Sequence, residues 1–473
     1  MKKLLTVTLS ILALVVQTFA QAGLIDSTFN PGTGADIEVH CTAIQSDGKI
    51  IIGGEFSSYN GVPRNEIARL NSDGSLDESF NPGTGGNHFI WTTSIQNDGQ
   101  ILIGGGFSIY NGTAINRIAR LNTNGTLDTS FNVGAGASNY VRTISIQSDE
   151  KIIIAGEFDA YNGITRMKIA RLNIDGTLDN TFNPGTGANF YIIGSTIQND
   201  GKIIICGAFT SYNGTAINRI ARLNSDGTLD NTFNIGTGAN DEVRTISIQS
   251  DGKIIIGGHF TSFNGIVANR ITRLNPDGTL DPTFNIGTGA DSLGLGPLVW
   301  TSSILSDGKI LIGGFFTVYN GIVRNSIARL NSDGTLDSFF NPGTGVSGVV
   351  ESISVQSNGG IIIGGSFISY NGTARNNVAR VQNNVISGTN NLNLKDNSIK
   401  IFPNPTNGEL TLQADDFSGT VVSVYNNMGH LIIQQKNICT NVLRLDLSKQ
   451  AQGMYIVEVN LPSNSNRFKV LKQ

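Results

Sequence analysis

An all-β fold made of repeated sheets is predicted by three features of this 473-residue sequence. Glycine is abundant, at 58 residues, and only 14% of residues are charged, as is typical of β-rich, turn-rich proteins. Apolar and polar residues alternate in many short segments, as in half-buried strands. The tripeptide Tyr-Asn-Gly, once Phe-Asn-Gly, recurs seven times at steps of 51 residues, with one step of 56. Its asparagines are Asn60, Asn111, Asn162, Asn213, Asn264, Asn320 and Asn371.

The strands of a repeat are clearest in the fifth copy. Val243 to Gln249 alternates apolar and polar residues, and Lys253 to Phe260 carries a continuous apolar run suited to burial on both faces. A third strand, Arg270 to Asn275, follows, and a short fourth strand is expected to end at Phe284. Asp-Gly turns connect these strands because both residues accept positive φ cheaply. Four antiparallel strands of this length predict one blade of a β-propeller.

Seven such blades predict a seven-bladed β-propeller, and the two ends of the repeat region predict how the ring closes. Leu24 to Phe29 reads as a fourth strand with no blade before it, whereas the last repeat stops after its third strand, Val378 to Val381. The N-terminal strand is therefore expected to complete the last blade and remove an exposed sheet edge. A linear solenoid is the alternative.

Repeated side chains predict how the blades pack. Fourteen of the 23 Phe residues recur at two fixed positions and are expected to be buried between blades. Glycine pairs such as Gly257-Gly258 predict a bulge or a close backbone approach. The repeated Arg and Asp, such as Arg222 and Asp230, predict a cross-strand pair. Calcium binding by these Asp residues is the alternative, without the ligand spacing of an EF-hand.

The N-terminus reads as a secretory signal peptide, residues 1–20, because Lys2 and Lys3 precede an apolar run and small residues precede a cut after Ala20. A membrane anchor is the alternative. The predicted organisation is then the propeller over 21–383, a polar linker over 384–398, and a small Ig-like β-sandwich over 399–473. No transmembrane segment is expected after removal of the signal.

Composition and motifs argue against several functions. The net charge of −4 gives no basic field for nucleic acid. Three scattered cysteines, Cys41, Cys206 and Cys439, predict packing residues rather than a disulfide framework. Four isolated histidines and the absence of HExxH, GxSxG and Walker motifs predict no catalytic residue, no cofactor and no metal site.

The most variable positions among the repeats lie where the inner strand of each blade begins. Five positions before the Gln slot stand His40, Trp91, Arg142, Ile193, Arg244, Trp300 and Glu351, and two positions earlier stand Glu38, Phe89, Tyr140, Tyr191, Glu242, Leu298 and Val349. An insertion within Asp291 to Pro297 enters the same face. The candidate ligand-binding residues are His40, Phe89, Trp91, Tyr140, Arg142, Tyr191, Arg244 and Trp300. The alternative is that these side chains only fill the channel mouth and cover blade edges.

The repeat closely resembles the delta-sixty β-propeller repeat family, whose units read "LDxTFNpGtG…iQsDGKIliGGxF…NG…RiaRLNsDGt". The resemblance covers Leu24 to about Asn383 and departs locally, as where Glu150 replaces a turn glycine. It implies a propeller and no single chemistry.

The C-terminal residues resemble the type A sorting domain of the type IX secretion system. The matching segments are Ile401 to Leu410, Val422 to Ile432, Leu445 to Val459 and the final FKVLKQ. The pattern-bearing positions are Pro403, Asn404, Pro405, Gly408, Gly429, Gly453 and Tyr455. The resemblance implies a Bacteroidetes cell, contact with the type IX machinery, and release or attachment at the outer-membrane surface.

The resulting hypothesis is a secreted or cell-surface repeat protein that acts as a binding or adhesion module for a glycan, peptide or protein. A polysaccharide-active enzyme using carboxylates near the channel mouth, such as Glu38 or Glu55, is the first alternative. A purely architectural surface protein is the second.

Overall fold

A computed structural model describes residues 22–292, 296–383, 399–414, 420–426, 431–436, 438, 440–460 and 465–473. The predicted signal peptide, the predicted linker, Gly429, Cys439 and part of the insertion lie outside the described residues. The chain divides into two compact parts, Met1–Ser387 and Gly388–Gln473, here called the repeat region and the C-terminal region. The described residues form strands and no helix, as the sequence predicts.

Each repeat unit forms one antiparallel sheet whose three main strands follow one another in chain order. The inner strands are Val39–Ile44, Ile90–Ile95, Val141–Ile146, Ile192–Ile197, Val243–Ile248, Leu298–Ile304 and Val346–Val355. The second strands are Ile50–Gly54, Ile101–Gly105, Ile152–Gly156, Ile203–Gly207, Ile254–Gly258, Ile310–Phe315 and Ile361–Tyr370. The third strands are Ile67–Leu70, Ile118–Leu121, Ile169–Leu172, Ile220–Leu223, Ile271–Leu274, Ile327–Leu330 and Val378–Val381. Ile254–Gly258 is buried at every position, so the continuous apolar run does mark a strand covered on both faces.

The predicted fourth strand is wrong. In unit five only Leu280 pairs with the third strand, in a single bridge to Leu274, and units one to six share this arrangement. The chain turns away immediately because the Asp281 carboxylate accepts a hydrogen bond from the Thr283 amide at 2.9 Å. The Asp281 carbonyl then accepts one from the Phe284 amide at 3.3 Å. The repeated Asp therefore prevents the fourth strand that the apolar pattern predicts.

The repeated Asn-Gly lies at the tip of a small two-stranded hairpin between the second and third strands. Asn264 and Gly265 have φ of +50° and +74°, the geometry of a type I′ turn. The hairpin strands are Ser58–Tyr59 with Val62–Pro63, Ile109–Tyr110 with Thr113–Ala114, Ala160–Tyr161 with Ile164–Thr165, Ser211–Tyr212 with Thr215–Ala216, Ser262–Phe263 with Ile266–Val267, and Val318–Tyr319 with Ile322–Val323. In unit seven the second strand runs into the hairpin and pairs with Thr373–Ala374, and in unit six Ala290–Asp291 pairs with Val318–Tyr319.

Neighbouring units meet through their inner strands. The inner strand of each unit contacts that of the next unit, and the inner strand of unit seven contacts that of unit one. Hydroxyl groups link them: Thr245 Oγ1 lies 2.9 Å from Ser302 Oγ, and Thr42 Oγ1 lies 2.6 Å from Ser352 Oγ, 310 positions away. Polar positions of these alternating strands therefore connect units seven and one, two and three, three and four, and five and six.

The first described residues pair with the last unit. Ile25 forms an antiparallel bridge with Val381, and the Asp26 amide donates a 2.8 Å hydrogen bond to the Arg380 carbonyl. This is the place that a residue such as Leu280 takes within its own unit. The N-terminal segment thus gives the last unit the bridge that each of the other units forms with its own residues.

A buried Arg on each third strand connects one unit to the next. In unit four, Arg222 Nε donates to Asp230 Oδ2 at 2.7 Å, and Nη1 donates to the Pro276 carbonyl of unit five at 2.6 Å. Arg222 Cζ also lies 4.7 Å from the ring centroid of Phe233. Lys202 donates to the same Asp oxygen at 2.8 Å. The predicted cross-strand pair is confirmed, and protein donors already surround the carboxylate proposed as a calcium ligand.

Both predicted sets of Phe residues are buried, the first from Phe29 to Phe340 and the second from Phe56 to Phe367. Phe80, at the end of unit one, packs against the turn glycine Gly125 of unit two, where a Cβ would lie 3.0 Å from the Phe80 ring. The aromatic rings therefore fill the space between consecutive sheets, as the repeat predicts.

The C-terminal region consists of two antiparallel sheets. One contains Lys400–Phe402, Glu409–Gln413 and Val442–Asp446, and the other contains Leu431–Gln435, Val421–Asn426, Gly453–Asn460 and Ser465–Lys472. Buried apolar residues of both sheets, including Leu410, Val424 and Val457, form one core. The β-strands that the sequence predicts for this region are present, whereas the Ig-like class stays a prediction.

Candidate binding face

Every unit carries a β-bulge where its inner strand begins. In unit five Val243 pairs with Gly258 and Thr245 with Gly257, so Arg244 is the extra residue. The equivalent bulged residues are His40, Trp91, Arg142, Ile193, Arg244, Trp300 and Glu351, here called the bulge ring. A bulge re-aims the side chain of the extra residue. All seven residues coincide with the variable position singled out in the sequence.

Glycine is required on the strand opposite each bulge. A Cβ on Gly258 would lie 2.1 Å from the Glu242 carbonyl oxygen. A Cβ on the equivalent glycine of each other unit would lie 2.0 to 2.3 Å from a carbonyl oxygen. The position before this glycine accepts a side chain in some units, since units three and four carry Ala155 and Cys206 there. The glycine pairs therefore mark both a bulge and a close approach, as predicted.

Consecutive members of the bulge ring contact each other in four of the seven pairs. His40 Nδ1 lies 2.6 Å from Glu351 Oε2, and the His40 and Trp91 ring centroids are 6.4 Å apart. Arg142 Cζ lies 3.0 Å from the Trp91 centroid, and Arg244 Cζ lies 4.3 Å from the Trp300 centroid. Predicted site residues from separate repeats are thus brought together on one face.

Trp91 offers no free ring face to a ligand. The Phe89 ring stacks on it at 4.2 Å with an interplanar angle of 23°, and the Arg142 guanidinium lies 3.0 Å from its centroid. Both groups cannot share one face at these distances, so the indole is held between them. Tyr140 contacts its edge at 5.2 Å. For Trp91 the geometry favours packing over ligand binding.

A series of contacts between polar side chains connects units four, five and six. Tyr191 donates to Glu242 Oε2 at 2.8 Å. Glu242 Oε1 lies 2.5 Å from Arg244 Nε, off the N–H direction, so the contact is ionic rather than a directed hydrogen bond. Arg244 in turn covers Trp300. These predicted residues hold each other in place.

Sequence reasoning missed three exposed residues on this face. Phe190 is 51% exposed, and its ring lies 4.5 Å from that of Tyr191. His88 is exposed beside Phe89, at 4.0 Å, and Ile37 is 48% exposed. All three stand one position before the second variable position of their units. Their shared position in the repeat could have identified them from the sequence.

A further repeated position sets the charge of the face. The residue preceding each third strand has φ between +63° and +68° in all seven units: Glu66, Arg117, Lys168, Arg219, Arg270, Ser326 and Asn377. In units two to five it is a cation, as where Arg270 donates to the His259 carbonyl at 2.8 Å. In unit one it is the carboxylate Glu66. This position therefore adds a positive charge to the face in units two to five and a carboxyl group in unit one.

The acidic part surrounds His40. Its Nε2 lies 3.3 Å from Glu55 Oε1, opposite the contact with Glu351. Burial alone would lower the pKa of His40, but the hydrogen bonds and charges of Glu351 and Glu55 outweigh burial and raise it. Burial, together with the charge of Glu55, raises the pKa of Glu66 to about 7. One Glu38 oxygen, one His40 nitrogen and one Glu351 oxygen lie within 4.8 Å of one another.

The two described cysteines are packing residues, as predicted. Cys206 is fully buried, and Cys41 lies against Gly53 and Ile90. Burial raises the pKa of the Cys41 thiol to about 12, so a reactive thiolate does not form there at neutral pH.

The predicted sorting-signal residues mainly shape the C-terminal region. Asn404 donates to the Lys469 carbonyl at 2.7 Å and accepts from the Leu471 amide at 3.0 Å. Gly408 has φ of +136° against Ser448. Tyr455 is buried and donates to Ala451. Pro403 and Pro405 are exposed, and Gly453 begins a strand.

Comparison with solved structures gives weak similarities. A fungal alcohol oxidase of the AA5 family in complex with copper is 13% identical, with TM-score 0.41 over 96% of this chain and 100% of that chain. The full extracellular region of plexin A4, of which this chain spans 52%, is 9% identical over 92% of this chain, with TM-score 0.34. These values support no inference about activity. A comparison with curated proteins finds no match. Within the described residues, no helix has the length and apolar character needed to cross a bilayer.

Comparison with protein families is decisive. The beta-propeller domain of unknown function DUF5122 matches once in each unit, at residues 45–80, 96–131, 147–182, 198–233, 249–284, 305–340 and 356–384. Residues 400–473 match the secretion system C-terminal sorting domain. A type IX sorting domain directs its protein to the cell surface or the medium, so this protein is secreted or attached to the outer-membrane surface. The chain belongs to the DUF5122 beta-propeller family, with seven repeats followed by a secretion sorting domain.

Proposed function

We propose that the seven repeats form one closed propeller that displays a non-enzymatic binding face outside the cell. Closure is supported by the bridge between Ile25 and Val381, and by the contact between the inner strands of units one and seven. A closed ring leaves no open sheet edge at the seam, which suits a protein exposed to the environment.

The position of the variable residues supports a binding role. All seven bulges fall outside the segments that match the family, in the gaps that precede residues 45, 96 and their equivalents. The matched segments contain the turns, the buried second and third strands and six of the seven Arg–Asp pairs. The shared part of the repeat thus builds the scaffold, and the unmatched part supplies the side chains that differ among units.

The exposed aromatic residues of units two to four carry the proposal. Phe190 and Tyr191 form a tilted pair, and His88, Phe89 and Tyr140 form a second cluster. Exposed aromatic groups beside arginines suit sugar rings or the side chains of a protein partner. We therefore propose a glycan, peptide or protein ligand on this side of the face, with Trp91 and Trp300 supporting rather than binding it.

A glycan array and a pull-down of material from the producing cell's own surface test this role. We expect the double variant His88→Ala/Phe190→Ala to lose binding about tenfold or more while keeping the wild-type Tm. Ile174→Ala is the matched control, because Ile174 is 54% exposed in the turn between the third strand and the bridge of its unit, on the opposite face. Binding that survives the double variant, or that Ile174→Ala alone removes, contradicts the proposal.

A polysaccharide-active enzyme remains the second candidate, favoured by one observation. The carboxyl group of Glu66, with a pKa of about 7, lies near the charge of Glu55, and a carboxyl of that kind can act as a general acid. Turnover of a polysaccharide that both Glu66→Gln and Glu55→Gln abolish would favour the enzyme over the binding module.

We also propose that the repeats are of the delta-sixty type, that the protein originates in Bacteroidetes, that residues 1–20 are a signal peptide and that the tail is Ig-like. The sorting domain supports export through the type IX machinery, and the sequence patterns support the rest. A purely architectural role would be favoured if the exposed face bound nothing in these assays.

A further inference from the structure

The contact between unit one and unit seven contains a set of metal-ligating side chains. Glu38 directly precedes the inner strand of unit one, His40 lies on that strand, and Glu351 comes from the inner strand of unit seven, 311 positions from His40. Both His40 and Glu351 are bulged residues, so both side chains are re-aimed at the same place. The His40 and Glu351 side chains are only 9% and 7% exposed.

The charge around this set is unbalanced. Four carboxylates, Glu38, Glu55, Glu66 and Glu351, surround His40, and no Lys or Arg among the described residues forms an ion pair with any of them. The Glu66 Oε2 atom is buried and accepts no hydrogen bond. Elsewhere on the face such carboxylates are paired with cations, as Glu157 is with Arg142 and Glu242 is with Arg244. This excess of carboxyl groups over cationic partners favours a bound cation.

We propose that Glu38, His40 and Glu351 bind a divalent transition-metal ion that links unit one to unit seven. An imidazole nitrogen with two carboxylate oxygens is a ligand set suited to Zn²⁺ and its neighbours, and imidazole is not a ligand that Ca²⁺ prefers. The ion stabilises the closed ring because its ligands come from both sides of the seam and are far apart in the unfolded chain.

This site lies on the same face as the proposed ligand site but uses different residues, since Phe190 and His88 belong to other units. Its failure would leave the binding module intact, and failure of ligand binding would leave the metal site intact. The competing arrangement is a protonated His40 held between Glu351 and Glu55 without any metal.

Calorimetric titration of the purified full chain with Zn²⁺ separates these arrangements. We expect one Zn²⁺ per chain, a rise in Tm of about 2–5 °C with Zn²⁺, and a visible absorption band with Co²⁺ from nitrogen and oxygen ligands. Glu38→Gln keeps the hydrogen bond between His40 and Glu351, so it should fold normally and lose Zn²⁺ affinity about tenfold or more. His40→Gln should abolish binding.

Glu242→Gln is the matched control, because Glu242 occupies the position of Glu38 in unit five, where Arg244 replaces His40. Its Zn²⁺ affinity should equal that of the wild type. The proposal is overturned if the wild type binds no Zn²⁺, if Glu38→Gln binds it as tightly as the wild type, or if Ca²⁺ binds as tightly as Zn²⁺.

Discussion

Arg380 Nε lies 2.8 Å from Asp26 Oδ2, in the ion pair that each of the other six units forms within itself, although the two residues are 354 positions apart. The Arg380 guanidinium also donates to the Ser72 carbonyl of unit one and lies 5.2 Å from the Phe29 centroid. One side chain on the last unit therefore contacts both the N-terminal segment and the first unit. The two ends of the repeat region therefore form together the ion pair that each other unit forms by itself.

Removing this pair should destabilise the contact between the N-terminal segment and the last unit. We expect Asp26→Asn to lower the free energy of unfolding by about 2 kcal/mol, because the mostly buried Arg380 loses its ionic partner. Urea unfolding measures the change. Asp230→Asn, which removes the equivalent pair inside unit four, should cost a similar amount. A cost from Asp230→Asn with none from Asp26→Asn would show that the seam pair does not form.

The two glycines of a pair should respond differently to alanine. Gly258→Ala places a Cβ against the Glu242 carbonyl, and we expect it to cost about 2–4 kcal/mol. A Cβ on Gly257 would lie 2.6 Å from Val299 Cγ1 and 2.9 Å from Thr245 Cγ2, which are side-chain atoms and can shift, and alanine occurs at this position in unit three. Gly257→Ala should therefore cost less than Gly258→Ala, about 1–2 kcal/mol. Thermal unfolding compares the two variants. Equal costs would contradict the assignment of the bulge.

Glu150 offers a stabilising substitution. It has φ of +62° in the turn where the other six units carry glycine, a conformation that costs a residue with a side chain about 1–2 kcal/mol. Glu150→Gly should therefore raise the free energy of unfolding by about 1 kcal/mol, net of the added freedom of the unfolded chain. Gly252→Glu, the reverse change in unit five, should lower it. Loss of stability in Glu150→Gly would mean that the Asn97 contact outweighs the backbone strain.

Acid should unfold the repeat region through the Asp residues of the Arg pairs. Burial tends to raise the pKa of Asp77, but hydrogen bonds from Lys49, Ser79 and Arg69 outweigh it and hold the pKa well below its usual range. The same direction holds at Asp26 and Asp230. Because the folded-state pKa is depressed, the stabilisation is complete above the unfolded-state value of about 3.9 and is lost as the pH falls through the folded-state value.

We therefore expect the free energy of unfolding to change little between about pH 7 and 5 from these groups, and to fall steeply below about pH 4. Urea unfolding at a series of pH values measures it. Asp230→Asn should show a shallower fall than the wild type, since it has one such carboxyl fewer. An identical slope in the two proteins would rule out this origin.

The repeat made much of the fold predictable. Because each slot recurs seven times, the positions of the strands, the buried Phe residues and the Arg222–Asp230 pair follow from one unit. The fourth strand was mispredicted because the turn made by the Asp281 carboxylate overrides the apolar pattern after it. The contact between His40 and Glu351 does not follow from one unit, because the two residues are 311 positions apart.

The candidate face was predictable as a set of positions but not as a set of roles. The ring positions follow from register, and all eight predicted residues lie on one face. The sequence does not show that Phe89 and Arg142 cover both faces of Trp91, since this depends on the path of three inner strands. Phe190 was missed because its neighbour Tyr191 fits the repeated position better.

Amide hydrogen exchange at the seam tests the closure of the ring most directly. The Asp26 amide donates to the Arg380 carbonyl, and the Gln382 amide donates to the Leu24 carbonyl at 2.9 Å. Closure predicts that both amides are protected to the same degree as the Asp230 amide, which makes the equivalent bond within unit four. Exchange of the Asp26 and Gln382 amides at the rate of an unstructured chain, with the Asp230 amide protected, would contradict it.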